Sequence, residues 1–346
     1  MNTTYIIGNG FDICQNMETR YCQFYKNHYT KLPTEGLSPA VKEFREEITK
    51  YIEDNNKEKA LSNKDIDWSD LESAFGRYAE RLKEAQDYID IILDINKELR
   101  NYIEIQDKKF TITEKEASKI YIDFCKPDVT PYLSYEDSQA MLQFKRNNGA
   151  EKIEIINFNY TNTIEKIVDS IKSKLSATNI VNYSTSINQV LHIHSRLGSD
   201  SAILVGVNDP SQIYNEKFRI DRNIIDVLVK PETNRMFGNG KIAQANVLMN
   251  QAQVFVLFGV SVGETDKMWW ELIGKILQEK NARLIWFVFE SPGVESPLLI
   301  GRKKRELINK FCKTANIPKE RIDKISSKIY IGYNTNIFKT KTEIKY

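Results

Sequence analysis

Residues 3–12 read TTYIIGNGFD, an apolar run that ends abruptly at a turn containing two glycines. The apolar run predicts a buried strand, and Gly8-Asn9-Gly10 predicts a tight turn from that strand into a helix. Glycines at such a turn let backbone amides approach a pyrophosphate, and Asp12 could accept from a ribose hydroxyl or cap the helix. Ile13 replaces the third glycine of a GxGxxG fingerprint, so a nucleotide-binding turn and a plain turn both remain open.

The composition is that of a folded protein without a strong charge. The chain has 346 residues, of which 41% are hydrophobic and 11% aromatic, enough for one large or two smaller cores. The 49 basic and 47 acidic residues leave a net charge of +2. No electrostatic attraction to nucleic acid follows from that balance, so nucleic acid is not expected as a partner.

Cysteine and histidine usage argues against a metal site. The four cysteines are scattered without a CxxC pair, and there are three histidines, so we expect no structural zinc. We see no signal-peptide pattern at the N-terminus and no apolar run of transmembrane length. The expectation is a cytoplasmic protein with reduced thiols and no membrane association.

The pattern of apolar residues differs between two parts of the chain. Residues 20–148 show helical periodicity and almost no strand pattern, whereas residues 149–346 alternate short apolar runs with helix-like segments. We therefore predict an α/β fold, a Rossmann-like, mostly parallel sheet with helices on both faces and a large all-helical insertion after the first strand. The predicted boundaries are 1–19 for the first strand and its turn, 20–148 for the helical insertion and 149–346 for the rest of the α/β domain. The later strands are predicted at 152–158, 190–195, 202–207, 254–260, 283–289 and 328–333, with 190–195 and 202–207 forming a hairpin.

Polar or glycine residues follow four of the predicted strands. In an open α/β sheet, ligands bind at the carboxyl ends of strands, where the strand order reverses. These four segments are therefore the candidate site. They are Gly8–Asp12, Asn157–Asn162, His192–Ser195 and Gly259–Asp266.

Each of these segments also has a purely structural interpretation. Asn159 can donate and accept hydrogen bonds at a ligand, whereas Thr161 is equally placed to cap the next helix. His192 and His194, two apart, would share a strand face and could bind a metal, although a satisfied core histidine is the commoner outcome for at least one of them. Ser261 suits a ribose or phosphate contact.

Five segments occur in an order that resembles the AbiH family of bacterial phage abortive-infection proteins. They are IIGNGFD, DWSDLE, NFNYTNTIE, HIHS followed by ILVGVND, and LFGVSVGETD, which together span nearly the whole chain. The resembled motif is usually HIHG, so Ser195 stands in place of a glycine.

The AbiH family is in turn distantly similar to sirtuin-like NAD-binding domains. That similarity implies that Gly8 and Gly10 match a glycine-rich first turn, Asn159 a catalytic asparagine and His194 a catalytic histidine. It also implies that Gly259 and Ser261 match a later nucleotide-contacting turn. The chain departs from the sirtuin pattern at Thr161, where an aspartate is usual, and at the bulky Phe11. It also lacks the four-cysteine zinc module, which makes protein deacetylation improbable.

The resemblance implies an anti-phage effector that binds NAD and hydrolyses its nicotinamide–ribose bond. In that hypothesis Asn159 orients the water or the ribose hydroxyls, and His194 is the general base. Gly8-Asn9-Gly10 holds the pyrophosphate, while Asp12 and Asp266 face the ribose or are structural.

Two alternatives stay open at this point. One is a nucleotide-binding sensor without catalysis, and the other is an RNA-directed toxin using His192 and His194. In the leading hypothesis the helical block covers the cleft, mediates a homo-oligomer or senses a phage-derived trigger.

Overall fold

The structure, a computed structural model, describes residues 1–56, 66–67, 70–146, 152–177, 186–198, 203–236, 240–289 and 299–340. The chain forms two compact units. The sheet unit comprises Met1–Asn16, Thr111–Ile193 and Ala243–Tyr346, and the helical unit comprises Met17–Phe110 and His194–Ile242.

The sheet unit is built on a six-stranded sheet in which every neighbouring pair of strands is parallel. The spatial order is β3-β2-β1-β4-β5-β6. This is the strand order of a doubly wound dinucleotide-binding fold, with its reversal between β1 and β4. The strands are β1 (Asn2–Ile7), β2 (Lys152–Asn157), β3 (Ser186–His192), β4 (Val254–Phe258), β5 (Arg283–Val288) and β6 (Ile329–Tyr333).

Continuous apolar runs explain the position of the central strands. All five residues of β4 are buried, as are the last five of β1, so both faces of the sheet are covered. The predicted α/β fold with a mostly parallel sheet is confirmed. Between β1 and β2, the described residues form helices and connecting segments without a strand, which confirms the helical insertion.

The helices follow the periodic segments of the sequence. Pro39 opens α3 at a position where its missing N–H costs nothing, and Thr113 caps α6 through a bond from the Glu116 N–H. The first seven helices are α1 (Gly10–Cys14), α2 (Tyr21–Asn27), α3 (Pro39–Asn56), α4 (Leu71–Tyr78), α5 (Ala85–Lys109), α6 (Glu114–Cys125) and α7 (Tyr135–Arg146). The remaining ones are α8 (Thr163–Ala177), α9 (Glu216–Ile220), α10 (Arg222–Leu228), α11 (Lys230–Met236), α12 (Lys241–Gln251), α13 (Lys267–Glu279), α14 (Ile300–Thr314) and α15 (Ile322–Ser326). Short 3₁₀ turns occur at Tyr29–Lys31, Ala79–Arg81, Pro210–Gln212, Glu264–Asp266 and Lys319–Arg321.

The helical unit has its own core and its own buried polar groups. Helix α5 packs against α3 and α10. The Arg45 guanidinium, 5% exposed as a residue, donates to both carboxylate oxygens of Asp94 at 3.0 and 2.6 Å, and the Tyr29 hydroxyl donates to the same carboxylate. A paired charge of this kind can stay buried because its hydrogen bonds are satisfied.

The predicted hairpin of 190–195 with 202–207 is wrong within the described residues. Strand β3 ends at His192, and residues 203–206 form no strand. Val207 makes one isolated parallel bridge to Val229 instead. Because β3 ends at His192, the alternation rule that placed His192 and His194 on one strand face does not reach His194.

The compact units divide the chain at other positions than the boundaries predicted from the sequence. Residues 111–148, assigned to the insertion, lie in the range of the sheet unit, where α6 packs against α8. Residues 194–242, assigned to the α/β domain, lie in the helical unit. Local periodicity shows where helices form but not which core they join. The sequence also contains a second GNG at residues 238–240, which we interpret as a loop leading into a helix; it falls partly outside the described residues.

Candidate functional site

The turns after β1 and β4 lie side by side at the reversal of strand order in the sheet unit. The Gly8 N–H donates to the Phe258 carbonyl at 3.0 Å, and the Gly10 N–H donates to the Gly259 carbonyl at 3.0 Å. Both amides are therefore hydrogen-bonded within the fold. The two turns form one continuous wall at the carboxyl edge of the sheet.

Glycine is required in these turns by backbone packing. A Cβ on Gly8 would lie 2.6 Å from the Gly259 carbonyl oxygen, and one on Gly10 would lie 2.4 Å from the Gly259 Cα. Gly259 itself has φ +70° and would bring a Cβ to 2.6 Å from the Phe11 nitrogen. The three glycines thus fit one another, which is a sufficient reason for the GxG pattern without a ligand.

A buried carboxylate follows the first turn. Asp12 is 1% exposed, and its Oδ2 accepts a hydrogen bond of 2.7 Å from the Thr161 hydroxyl, which is also 1% exposed. The Thr163 hydroxyl donates in turn to the Thr161 oxygen at 3.1 Å. Residues following β1 and β2 are joined in this way through a buried, charge-assisted hydrogen bond.

Asn159 is fixed between the same two strands. Its Nδ2 donates to the Gly8 carbonyl at 3.1 Å, and its backbone N–H donates to the Asn157 side-chain oxygen at 3.0 Å. The residue is 5% exposed. The structure therefore brings the predicted Asn159 directly against the predicted glycine turn.

His192, the last residue of β3, supports Asn159 from the other side. Its Nδ1 lies 2.9 Å from the Asn159 carbonyl oxygen, and its Nε2 lies 2.7 Å from the Glu165 Oε1. A backbone oxygen only accepts, so Nδ1 carries a proton. With its proton on Nδ1, a neutral His192 ring has only an acceptor at Nε2, and an ionised Glu165 is also only an acceptor. The hydrogen bond between them therefore requires one more proton, either on Nε2 or on the Glu165 carboxyl group.

Removing the His192 ring is expected to destabilise the sheet unit. In His192→Ala, the buried Asn159 carbonyl and the Glu165 carboxylate lose their donor, which we expect to lower the free energy of unfolding by about 2–3 kcal/mol in urea titrations. His28→Ala is the matched control, because the His28 ring makes a single side-chain hydrogen-bonding contact, 3.1 Å to Glu98 in the helical unit, besides its packing on Phe24 and Tyr102. An equal loss in both variants would contradict the bridging role of His192.

The turn after β4 presents polar groups of a different kind. Ser261 is exposed, and its carbonyl accepts from the Lys310 Nζ at 3.1 Å, which brings a cation to this turn. Asp266 ends the 3₁₀ turn that precedes α13 and is half-buried. Trp269 and Trp270 are core residues, 3% and 1% exposed. Their burial is that of core side chains and argues against a platform on which a base could stack.

The thiol nearest in sequence to the glycine turn is not set up as a nucleophile. Burial raises the pKa of Cys14 to about 11, and the nearby Lys339 and Lys119 charges only partly offset that effect. At neutral pH the group is therefore a thiol and not a thiolate.

The family match covers the glycine turn and the other segments of this site. Residues 4–289 match the family described as bacteriophage abortive infection AbiH. The chain belongs to the AbiH family. This membership supports a role in phage abortive infection. A search among curated proteins finds no match.

The remaining AbiH motif segments lie in the helical unit. Glu72, from DWSDLE, accepts a 2.8 Å hydrogen bond from the buried Lys230 Nζ. His194 is 6% exposed, and its carbonyl accepts from the Leu204 N–H. Ser195 has φ +71°, a left-handed conformation that favours glycine.

Sequence reasoning missed two contacts of this site. The Asp12–Thr161 bond joins residues 149 positions apart, and the His192–Glu165 contact joins residues 27 positions apart. The His192–Glu165 contact could have been predicted from the position of Glu165 in the sequence. Glu165 lies in the first turn of the helix that follows β2, and in a parallel sheet that turn lies beside the end of the neighbouring strand β3.

Among the described residues, no group of three or more His, Cys, Asp or Glu side chains is placed to hold a metal ion. In the same part of the chain, no helix combines the length and the apolar character needed to cross a membrane.

Proposed function

We propose that this AbiH-family chain binds NAD at the carboxyl edge of its sheet and hydrolyses the nicotinamide–ribose bond. Infection would then end in loss of NAD from the cell, in keeping with abortive infection. The proposed kinship with sirtuin-like NAD-binding domains belongs to the same hypothesis.

The observation that carries the proposal is the reversal of strand order between β1 and β4. Doubly wound sheets bind dinucleotides in the crevice at this point, and here glycine turns follow both strands. The Gly8 and Gly10 amides are used within the fold, so these glycines form the wall. Contacts to phosphate are assigned to the exposed Asn9 and Ser261 side chains, with Lys310 supplying positive charge nearby.

The reaction needs positioning more than a strong nucleophile. The C1′–N bond of the nicotinamide ribose breaks with its electron pair leaving on nicotinamide, through an oxocarbenium-like state. A water oxygen then bonds to C1′ and releases a proton, which yields ADP-ribose and nicotinamide. Orientation of the ribose and exclusion of bulk water supply most of the acceleration in such a step.

The residues are assigned roles according to their exposure and contacts. Asn159, held by the Gly8 carbonyl and by His192, orients the ribose hydroxyls or the attacking water. Asp12 is too deeply buried to touch a ligand and is assigned the structural role, in which it joins the ends of β1 and β2 through its bond from Thr161. Asp266, at the start of α13, is assigned to the ribose. His194 is retained as the general base on the strength of the resemblance alone.

Incubation of the full chain with NAD, followed by chromatography of released nicotinamide, tests the proposal. Asn159→Ala and His194→Ala are each expected to slow release by roughly 100-fold or more. The control is Asn250→Ala, which removes an exposed asparagine whose Nδ2 only bonds the Asn246 carbonyl of its own helix. Urea titrations of each variant separate loss of activity from loss of fold. Unchanged rates in both single variants would overturn the catalytic assignment.

A second candidate function is a nucleotide sensor without catalysis. It is favoured by one observation, the bonding of Asp12, Thr161, Asn159 and His192 among themselves and to the backbone. Calorimetric binding of NAD or ADP-ribose without release of nicotinamide would select this function. Absence of binding to either compound would exclude both candidates.

A further inference from the structure

Asn159 is held at three of its polar groups by the sheet unit, and one side-chain atom is left over. Its backbone N–H donates to the Asn157 Oδ1 at 3.0 Å, and its Nδ2 donates to the Gly8 carbonyl at 3.1 Å. A carbonyl oxygen only accepts, so the Gly8 contact fixes which end of the Asn159 amide is the nitrogen. Among the described residues, none donates to the other end, Oδ1. Oδ1 is therefore the acceptor that Asn159 can offer to a ligand.

The third group, the Asn159 carbonyl, is held by a chain of two contacts that begins in helix α8. The carbonyl oxygen lies 2.9 Å from Nδ1 of His192, and the opposite ring nitrogen, Nε2, lies 2.7 Å from the Glu165 Oε1. His192 is 4% exposed and the Glu165 side chain 22% exposed. The His192 ring, at the end of β3, thus bridges two parts of the segment that follows β2.

Glu165 determines whether the ring can hold Asn159. A bond to the Asn159 carbonyl requires a proton on Nδ1, and a neutral ring has only one proton to give. Which ring nitrogen carries the proton is set by the hydrogen bond that the other nitrogen makes. The rotation and the protonation of His192 therefore depend on the group that faces Nε2, which is the Glu165 carboxyl group.

We propose that Glu165 and His192 are positioning residues for Asn159 in the cleavage of NAD, an inference that rests on the proposed function. Glu165 fixes the ring, the ring holds the Asn159 backbone, and Gly8 holds the amide nitrogen. Oδ1 then keeps one direction in which to accept from the ribose hydroxyls or the attacking water. Looser placement of Asn159 reduces the fraction of bound substrate in the reactive geometry, which lowers kcat more than it raises KM.

Two substitutions of Glu165 separate positioning from charge. The amide of Glu165→Gln can donate to Nε2 of a neutral ring, which keeps the Nδ1 proton on the Asn159 carbonyl, whereas Glu165→Ala removes the partner of Nε2. We expect Glu165→Ala to lower kcat for nicotinamide release roughly 10-fold or more and Glu165→Gln to stay within about 3-fold of wild type. The matched control is Asp169→Asn, which removes an exposed carboxylate one turn further along α8 and leaves kcat unchanged. An equal loss in Glu165→Ala and Glu165→Gln would overturn the positioning role.

The same comparison applies to His192. His192→Asn keeps an N–H donor near the place of Nδ1, whereas His192→Leu has a similar size and no donor. The asparagine variant is expected to retain a kcat roughly 10-fold above that of the leucine variant. Urea titrations of both variants give the folded fraction, so that kcat is compared per folded molecule. Equal values for the two variants would show that the bond to Asn159 has no part in the reaction.

Nuclear magnetic resonance of the isotope-labelled full chain tests the hydrogen-bond chain without turnover. Glu165→Ala is expected to move the side-chain amide resonances of Asn159, and Glu165→Gln and Asp169→Asn are expected to leave them at their wild-type positions. This pattern in a chain that releases no nicotinamide would overturn the proposed function and support the positioning of Asn159. Nicotinamide release with unmoved Asn159 resonances in Glu165→Ala would support the function and overturn the inference.

Discussion

Alanine at position 10 is expected to lower the free energy of unfolding of the sheet unit by about 3 kcal/mol, at the upper end of the overpacking range. Its Cβ would lie 2.4 Å from the Gly259 Cα, a contact with backbone and not with a side-chain end that can rotate away. The backbone can move apart only by lengthening the Gly10 N–H to Gly259 carbonyl bond, now 3.0 Å. Urea unfolding of the full chain measures the loss.

Gly301→Ala is the matched control in the same unit. Gly301 is exposed in helix α14, and a Cβ there would meet the Arg305 guanidinium at 3.7 Å, an ordinary contact. Because alanine favours a helix over glycine by up to ~1 kcal/mol, this variant should be neutral or more stable. If Gly10→Ala were as stable as Gly301→Ala, the interlocked turns would not be the reason for glycine at position 10.

An aspartate at position 161 is expected to produce the second large effect. The Thr161 hydroxyl donates to Asp12 at 2.7 Å, and both residues are 1% exposed. Thr161→Asp would replace that donor by a second buried carboxylate and lower the free energy of unfolding by about 3–5 kcal/mol at neutral pH. The deficit should shrink as the pH falls, since a protonated carboxyl group can donate to its neighbour.

Thr161→Asn is the control that distinguishes the effect of the added charge from the effect of the changed side-chain shape. Asparagine has the size of aspartate, but its amide can donate to Asp12, so we expect a loss of roughly 1 kcal/mol. Urea titrations at neutral and acidic pH compare the two variants. Equal losses at neutral pH, or a deficit in Thr161→Asp that does not respond to pH, would show that repulsion between carboxylates is not the cause.

Much of the fold could be predicted because its strands are continuous apolar runs. VFVLF, residues 254–258, is buried throughout, and no helical or alternating pattern competes with it. The run at 202–207 misled for the same reason. Its described apolar residues are buried in the helical unit, where they make a single isolated bridge and no strand, and burial is what the pattern detects.

The candidate site could be predicted in part. The sequence predicts Gly8, Gly10, Asn159 and Gly259 as site residues. The structure joins them in two hydrogen-bonded pairs, Asn159 with Gly8 and Gly10 with Gly259. The partnership of His192 with Glu165 was not foreseen, because it depends on which strand lies beside β2. Neighbours in a sheet are a property of topology, and no local pattern encodes them.

By itself, the sequence determined that a strand ends at the glycine turn, that a helical segment follows, and that the chain belongs to the AbiH family, because apolar runs, turn glycines and ordered motifs are local features. Only the tertiary structure decided why the glycines are there. Gly10 and Gly259 are far apart in the chain, yet their backbones meet at the reversal of strand order, where a side chain on either would not fit. Steric exclusion between distant segments exists only once the sheet has formed.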